Sequence, residues 1–384
     1  MNNNIKWLWL TLNVGLSRHK IRKLLDDFGS VHNIFEASKK DFSALEYIED
    51  EVKSKLVNKD VSNLSAIESI MERYRVRLLT VDSPDYPEDL KQIDDYPVML
   101  YVRGAELDLN DCLGIAMVGT RKPTKYGSKV AESMASEIAE EGALVISGMA
   151  DGIDTHSHVG ALKVGAPTVA ILGCGVNMPY PKKNAGLMKR IMENGMVISE
   201  YPFNSEPKHW HFPERNRIIA GLSKGTLVVE GEEQSGSLIT ANYAMEFNRD
   251  VFAVPGNIDS LMSKGTNNLI KSGAYAALSA EDVLGHYRDV YGHLLKPVVH
   301  TPVDVSEYEA EYENKESNEN KISLDGLSDK DKIYACLGAD AIHIDVICEM
   351  TGLTAQTVNS SLLMLELEGK IMSYAGNMYS RKDI

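Results

Sequence analysis

The chain has 384 residues, 43% of them hydrophobic and 25% charged, with a formal net charge of −15. That length and balance exclude a disordered chain and a disulfide-stapled miniprotein, and they permit two or three units with ordinary cores. The acidic sum argues against a protein coated in basic residues, but a binding groove depends on local charge placement.

The four cysteines, Cys112, Cys174, Cys336 and Cys348, form no C-x-x-C pair. A reducing cytoplasm is therefore expected, and neither a structural metal nor a cofactor is. No segment approaches the roughly 18 apolar residues of a membrane span. The opening MNNNIKWLWLTLNVGL has one lysine before its apolar run and no small-residue cleavage site, so it is expected to be a first helix rather than a leader.

Residues 1–75 read as a small helical unit. Ile21, Leu24, Leu25 and Phe28 recur at three and four, and Gly29-Ser30 stops the helix. Gly15-Leu16-Ser17 fits either a helix-hairpin-helix turn or a plain packing module. From 80 to 288 the chain alternates short Val/Ile-rich runs with helical segments: GIAMVG, ALVIS, TVAILG, MVISE, GTLVVEG and DVFAVPG. Runs apolar at every position suit parallel strands covered on both faces, and in KVAESMASEIAEEG Val130, Met134 and Ile138 share one helix face. The expectation is an α/β fold, an extended Rossmann-like doubly wound sheet. Residues 300–322 are acidic and aperiodic, as in a solvated linker. Residues 323–384 follow a winged-helix pattern, with a turn at Thr351-Gly352-Leu353 and a terminal hairpin.

In such a sheet the ligand lies beyond the carboxyl ends of the strands, so the loops leaving them matter most. After the first strand, GTRKPTKYGS offers Gly119, Thr120, Arg121 and Lys122, then Tyr126 and Gly127 at a helix start. An arginine fork beside free helix N–H groups makes an anion site; a solvated turn is the alternative. After the second, SGMADGIDTHSH lacks G-x-G-x-x-G; Ser147, Gly148 and Gly152 shape the loop, and Asp154 serves a ribose or a helix cap. His156 and His158, two apart, point to different helix faces, which disfavours a metal site and leaves His158 as a hydrogen-bond partner. Ser235, Gly236 and Ser237 open another helix without a G-x-S-x-G nucleophile context, so no catalytic residue is assigned. Finally, KHWHFPERNRII places Lys208, Trp210 and Phe212 before Arg215, Asn216 and Arg217. Aromatic rings beside cations suit single-stranded nucleic acid; alternatively, the aromatics are core and the arginines bridge to Glu200 and Glu214.

Taken together, VGTR…YG, SGMADGIDTHSH, GCGVNMPYP, SEYP, HFPERNRIIAGLS, VVEG…SGSLITA and VPGNI…GTNNLI…GA closely resemble, in order and spacing, the DNA-processing protein A (DprA/Smf) family. The resemblance implies a non-enzymatic, dimeric protein that binds single-stranded DNA and loads the RecA recombinase during natural transformation. It puts phosphate contacts at Gly119, Thr120 and Arg121, a second DNA-binding loop around Ser147, Gly148 and Gly152, a base stacked on Phe212 or Phe212 wedged between two, phosphates on Arg215 and Arg217, and further hydroxyl and backbone donors at Ser235–Ser237. Thr120 stands where a serine is common, which keeps the hydroxyl. The candidate recognition helix, TAQTVNSSLLMLELEG, has no Lys or Arg, which suits packing or protein contact better than duplex reading. The competing enzyme reading is a nucleotide or nucleoside-monophosphate hydrolase, with Asp154 or Glu230 near the ribose; no P-G-G-x-G-T-x-x-E signature supports it.

Overall fold

The computed structural model describes residues 2–297, 303, 305, 328–337, 342–374 and 376–382. Two compact units divide the chain, Met1–Val305 and Ser306–Ile384. The segment expected to be an acidic linker, 300–322, lies outside the described residues apart from 303 and 305.

The first unit begins with helices α1 (Asn3–Leu8), α2 (Arg18–Phe28), α3 (Val31–Glu36), α4 (Lys39–Ser43), α5 (Asp50–Asn58) and α6 (Leu64–Arg73). The apolar start becomes the heart of this layer, because Trp7, Leu8, Trp9 and Leu10 are fully buried. Gly29 ends α2 in the left-handed conformation at φ 80°, as the Gly-Ser stop predicted.

Six parallel strands form at the six Val/Ile runs: β3 (Gly114–Val118), β4 (Leu144–Ser147), β5 (Thr168–Leu172), β6 (Met196–Ser199), β7 (Gly225–Val228) and β8 (Asp250–Ala253). Three more strands complete a nine-stranded sheet of order β1-β2-β6-β5-β4-β3-β7-β8-β9. Of these, β1 (Arg77–Thr80) and β2 (Met99–Gly104) add antiparallel to one edge, and β9 (Tyr275–Ala276) adds parallel to the other. The fold is the α/β, Rossmann-like sheet expected, extended by an antiparallel edge.

The short α7 (Glu88–Lys91) follows β1, and crossover helices then link the parallel strands: α8 (Lys125–Glu140), α9 (Ile153–Lys163), α10 (Ala185–Asn194), α11 (His211–Gly221), α12 (Ser237–Glu246) and α13 (Leu261–Lys271). Hydrophobic clusters fill both faces of the sheet, which is why the strands are apolar at every position. Strand order reverses between β3 and β7, so the crevice beyond their carboxyl ends is the topological switch point. The unit closes with α14 (Ala280–Leu284) and α15 (Arg288–Tyr291).

The second unit contains α16 (Asp329–Cys336), β10 (Ile342–His343), α17 (Ile344–Thr351), α18 (Ala355–Leu367), β11 (Ile371–Tyr374) and β12 (Met378–Arg381). Its three strands pair in the order β10-β12-β11 around a core that includes Ile333, Ile347, Val358 and Leu362. This is the winged-helix arrangement, with α18 in the position of the recognition helix. No helix among the described residues is long and apolar enough to cross a membrane.

Candidate nucleic-acid interface

At the switch point the loops enclose a cleft of about 210 Å³ lined by Gly119, Arg121, Asp154, Phe212, Arg215, Asn216, Ser235, Gly236 and Ser237, among others. Nine residues singled out from four separate stretches of sequence thus meet in one place.

The β3–α8 loop is fixed from beneath. Thr124 caps α8, its Oγ1 accepting the Gly127 N–H at 3.1 Å, and the buried Glu230 carboxylate accepts both Thr124 N–H (2.9 Å) and Thr124 Oγ1–H (2.6 Å). The Thr120 N–H donates to the Glu230 carbonyl at 2.8 Å. Arg121 and Lys122 remain exposed at the rim. Gly127 is pressed against the Glu230 carboxylate, and Tyr126 lines a separate neighbouring cavity beside Pro255, so neither faces the main cleft.

The β4–α9 loop is locked onto this one. Gly152 has φ 74°, and a Cβ there would collide with the backbone of Thr120 and Arg121, so only glycine lets the two loops meet. Asp154 turns inward, its Oδ2 accepting the N–H groups of Gly148 (3.1 Å) and Ala150 (3.3 Å). It therefore holds the loop rather than waiting for a ribose. The Ser147 hydroxyl, expected among the DNA contacts, is fully buried and donates to the Met117 carbonyl at 2.6 Å. That hydroxyl is spent between two strands and faces no ligand.

The two arginines of α11 part company. Arg215 is 4% exposed; its Nη1 donates to the carbonyls of Gly148 (2.7 Å) and Ile171, and its Nε donates to Asn216 Oδ1 (3.2 Å). Burial pulls this guanidinium down and pushes Asp154 up, and each charge is partly compensated by the other. Arg215 thus forms the cationic floor of the cleft while bracing the β4–α9 loop against strand β5. Arg217 corrects the sequence-based expectation. It is 2% exposed and does not line the cleft; its Nη2 lies 2.6 Å from Glu200 Oε2, and its Nε 3.4 Å from Asp95 Oδ2. Two residues along a helix turn the side chain by roughly 200°, so Arg215 and Arg217 must face opposite ways.

The Arg217 side is an ionic seam with the N-terminal helices. Arg18 of α2 reaches Asp95 (2.6 Å), Glu214 (2.7 Å) and Glu200 (3.5 Å). Tyr201 donates its hydroxyl to Glu214 at 2.9 Å and stacks on His211. The alternative of arginines bridging to Glu200 and Glu214 is thus realised by Arg217 on Glu200 and by Arg18 on Glu214. Trp210, by contrast, is 54% exposed and not core. Lys208 lies outside the cleft with its Nζ over the Trp210 ring, 5.5 Å from the centroid.

His158 is structural. It is fully buried, with Nδ1 2.8 Å from Thr168 Oγ1. Because Thr168 Oγ1 already donates to the Val145 carbonyl, Nδ1 must carry the proton, and Nε2 has no donor facing it. Burial, helped by Arg215, pulls its pKa down to about 3. Among the described residues no group of His, Cys, Asp or Glu is placed to hold a metal.

Sequence reading missed Tyr180, which stacks on Phe212 with ring centroids 5.1 Å apart and planes 27° apart. It sits in a loop remote in sequence from Phe212, and no periodicity predicts that contact.

A Rossmann-like sheet with an arginine-bearing cleft at its switch point, followed by a winged-helix unit, defines the class: an α/β scaffold with a cationic cleft, joined in sequence to a winged helix. Residues 77–288 match the model of the DNA recombination-mediator protein A family, and residues 321–377 that of the DprA winged helix domain. The chain belongs to the DNA recombination-mediator protein A (DprA/Smf) family. It is 31% identical to Protein Smf of Synechocystis sp. over 395 residues, 98% of each chain. The X-ray structure of DprA from Streptococcus pneumoniae matches with a TM-score of 0.64 and 34% identity, covering 74% of this chain and 98% of that one. DprA from Helicobacter pylori, solved for its single-stranded DNA binding mode, matches with a TM-score of 0.50 and 28% identity, covering 56% and 96%.

Proposed function

We propose that this chain is a non-enzymatic recombination mediator that binds single-stranded DNA across the switch-point cleft and loads the RecA recombinase onto DNA taken up in natural transformation. The observation that carries the reading is the convergence of Arg121, Phe212, Arg215 and the Ser235–Ser237 helix start on one open cleft. Cations, a π-surface and backbone donors together are what a single strand needs, since phosphates are neutralised while bases stack. The binding set is Gly119, Thr120, Arg121, Lys122, Phe212, Asn216 and Ser235–Ser237 in the cleft and at its rim, with Gly148, Gly152, Asp154 and Arg215 fixing their positions. Lys208 and Tyr126 extend the set along the rim. The single-stranded DNA binding mode of the Helicobacter pylori relative supports the same ligand here.

Homodimerisation belongs to the same proposal. Tyr275 (45%) in the edge strand β9 and Leu278 (80%) just after it are exposed, as are Ile258 (83%) and Leu261 (61%) between β8 and the first turn of α13. An unpaired strand edge flanked by large apolar side chains is a surface that self-association covers.

The test is a titration of fluorescent single-stranded oligonucleotide at several salt concentrations, with the duplex as control. Salt-sensitive binding that prefers the single strand is expected, followed by faster assembly of RecA on that strand. Absence of binding at low salt, with turnover of a nucleotide instead, rejects the proposal in favour of a hydrolase.

A further inference from the structure

Phe212 is the ring that α11 brings to the cleft, half-buried and already contacted on several sides. Tyr180 stacks on it, and the Arg121 guanidinium lies over it with Cζ 5.6 Å from the ring centroid. Gly173 is pressed so close that a Cβ there would meet Phe212 Cδ1 at 2.8 Å. A phenol, a guanidinium and a backbone segment therefore already occupy the surroundings of this ring.

The stack ends on Tyr180, which is 40% exposed. Tyr180 lines a second, smaller cavity of about 50 Å³ that shares Arg121, Ala150, Phe212 and Arg215 with the main cleft. The other exposed aromatics nearby do not compete. Tyr126 belongs to the cavity beside Pro255. Trp210 lines none of the cavities described and, two residues before Phe212, projects roughly 200° around the helix axis from it.

Resting on the reading of the cleft as a single-stranded DNA site, we infer that Tyr180 is the base-stacking platform. A nucleobase lies on its outward π-face, and Phe212 is the backing that holds the phenol in place. Arg121 and the buried Arg215 set the positive potential beside it, so the phosphate next to the stacked base passes over Arg121. An aromatic pair of this geometry also stiffens the platform, because each ring restrains the other. Stacking of this kind accepts every base, since each has a π-face.

Two variants of the full chain test this, Tyr180→Phe and Tyr180→Leu, titrated with oligodeoxythymidylate carrying one 2-aminopurine. Phe keeps the π-face, so affinity within twofold of wild type and full quenching of the 2-aminopurine are expected. Leu fills the space without a π-face, so affinity is expected to fall roughly 5- to 150-fold, with the quench lost at saturation and the salt slope unchanged. Tyr180→Met replaces the leucine variant if leucine lowers the melting temperature. Wild-type affinity and quenching in the Leu or Met variant, while Arg121→Ala lowers the salt slope, overturns the platform but leaves the cleft reading intact. No binding by wild type at low salt overturns both.

Discussion

Replacing Arg217 by alanine separates two roles that its sequence context, RNR, blends. A phosphate-holding Arg217 would make the variant a weak DNA binder of normal stability. The structure requires the reverse. Arg217 is 2% exposed and paired with Glu200 at 2.6 Å and Asp95 at 3.4 Å. Its Nε and Nη1 make no hydrogen bond, so the bond from Nη2 to Glu200 carries most of its contribution. Breaking a buried pair costs about 3–5 kcal/mol; with Arg18 still 3.5 Å from Glu200, the lower end, about 3 kcal/mol, is expected. At roughly 2–4 °C per kcal/mol for a domain of this order, the melting temperature should fall by about 6–12 °C. Thermal melts and oligonucleotide titrations at four salt concentrations, run well below the transition, read both quantities. The expected outcome is a lowered melting temperature with an unchanged slope of log Kd against log salt. An unchanged melting temperature with a reduced slope would refute the ionic-seam assignment.

Arg121→Ala should behave in the opposite way, because its guanidinium is exposed at the rim: the salt slope drops by about one, equally for all sequences, and the melting temperature stays put. Gly148→Ala would set a Cβ 2.5 Å from Arg215 Nη2 and 2.6 Å from Asp154 Oδ2. Overpacking there should cost about 1–3 kcal/mol and weaken DNA binding as well; wild-type melting and affinity would show that Arg215 is not fixed as described. His158, held near pKa 3 against an ordinary 6.5, gives a pH dependence of definite sign. The unfolded chain takes up its proton near pH 6.5 and the folded one does not until about pH 3, so stability is complete above that window and falls as pH drops through it. The slope approaches 1.4 kcal/mol per pH unit, an order-of-magnitude figure. Urea midpoints at pH 7 and pH 5 should diverge in the wild type and converge in His158→Leu, which leaves the Thr168 hydroxyl its bond to Val145.

The six parallel strands were legible because burial on both faces makes a strand apolar at every position. Met99–Val102 is such a run too, with all four residues buried, but its antiparallel pairing with β6 and β1 depends on partners distant in sequence. The two residues of β9 are too short to carry any period. At the site, helix geometry alone separates Arg215 from Arg217, just as it separates His156 from His158. What sequence could not supply was the choice between them. That depends on Arg18 and Glu200, which reach α11 from elsewhere in the fold. Ser147 illustrates the same limit, since its hydroxyl is consumed by a carbonyl on the adjacent strand.

The formal charge of −15 and the proposed DNA-binding cleft are reconciled by which side chains turn inward. Around the loops that leave β3 to β6 the carboxylates are absorbed: Glu230, which reaches the β3 loop from the end of β7, by Thr124, Asp154 by backbone N–H groups and Arg215, and Asp151 by Lys183 at 3.1 Å. The cations of the same region, Arg121, Lys122, Lys182 and Lys208, stand exposed. At the start of α12 the pattern reverses, since Glu232 and Glu233 are exposed just before Ser235, beside the cleft rather than in its lining. A strand crossing here meets attraction inside the cleft and a repelling wall just beyond it, so its phosphates should track the Arg121 side. Substituting Glu232 and Glu233 by glutamine removes the repelling wall. It should therefore tighten binding most at low salt, where unscreened charges still act across the cleft.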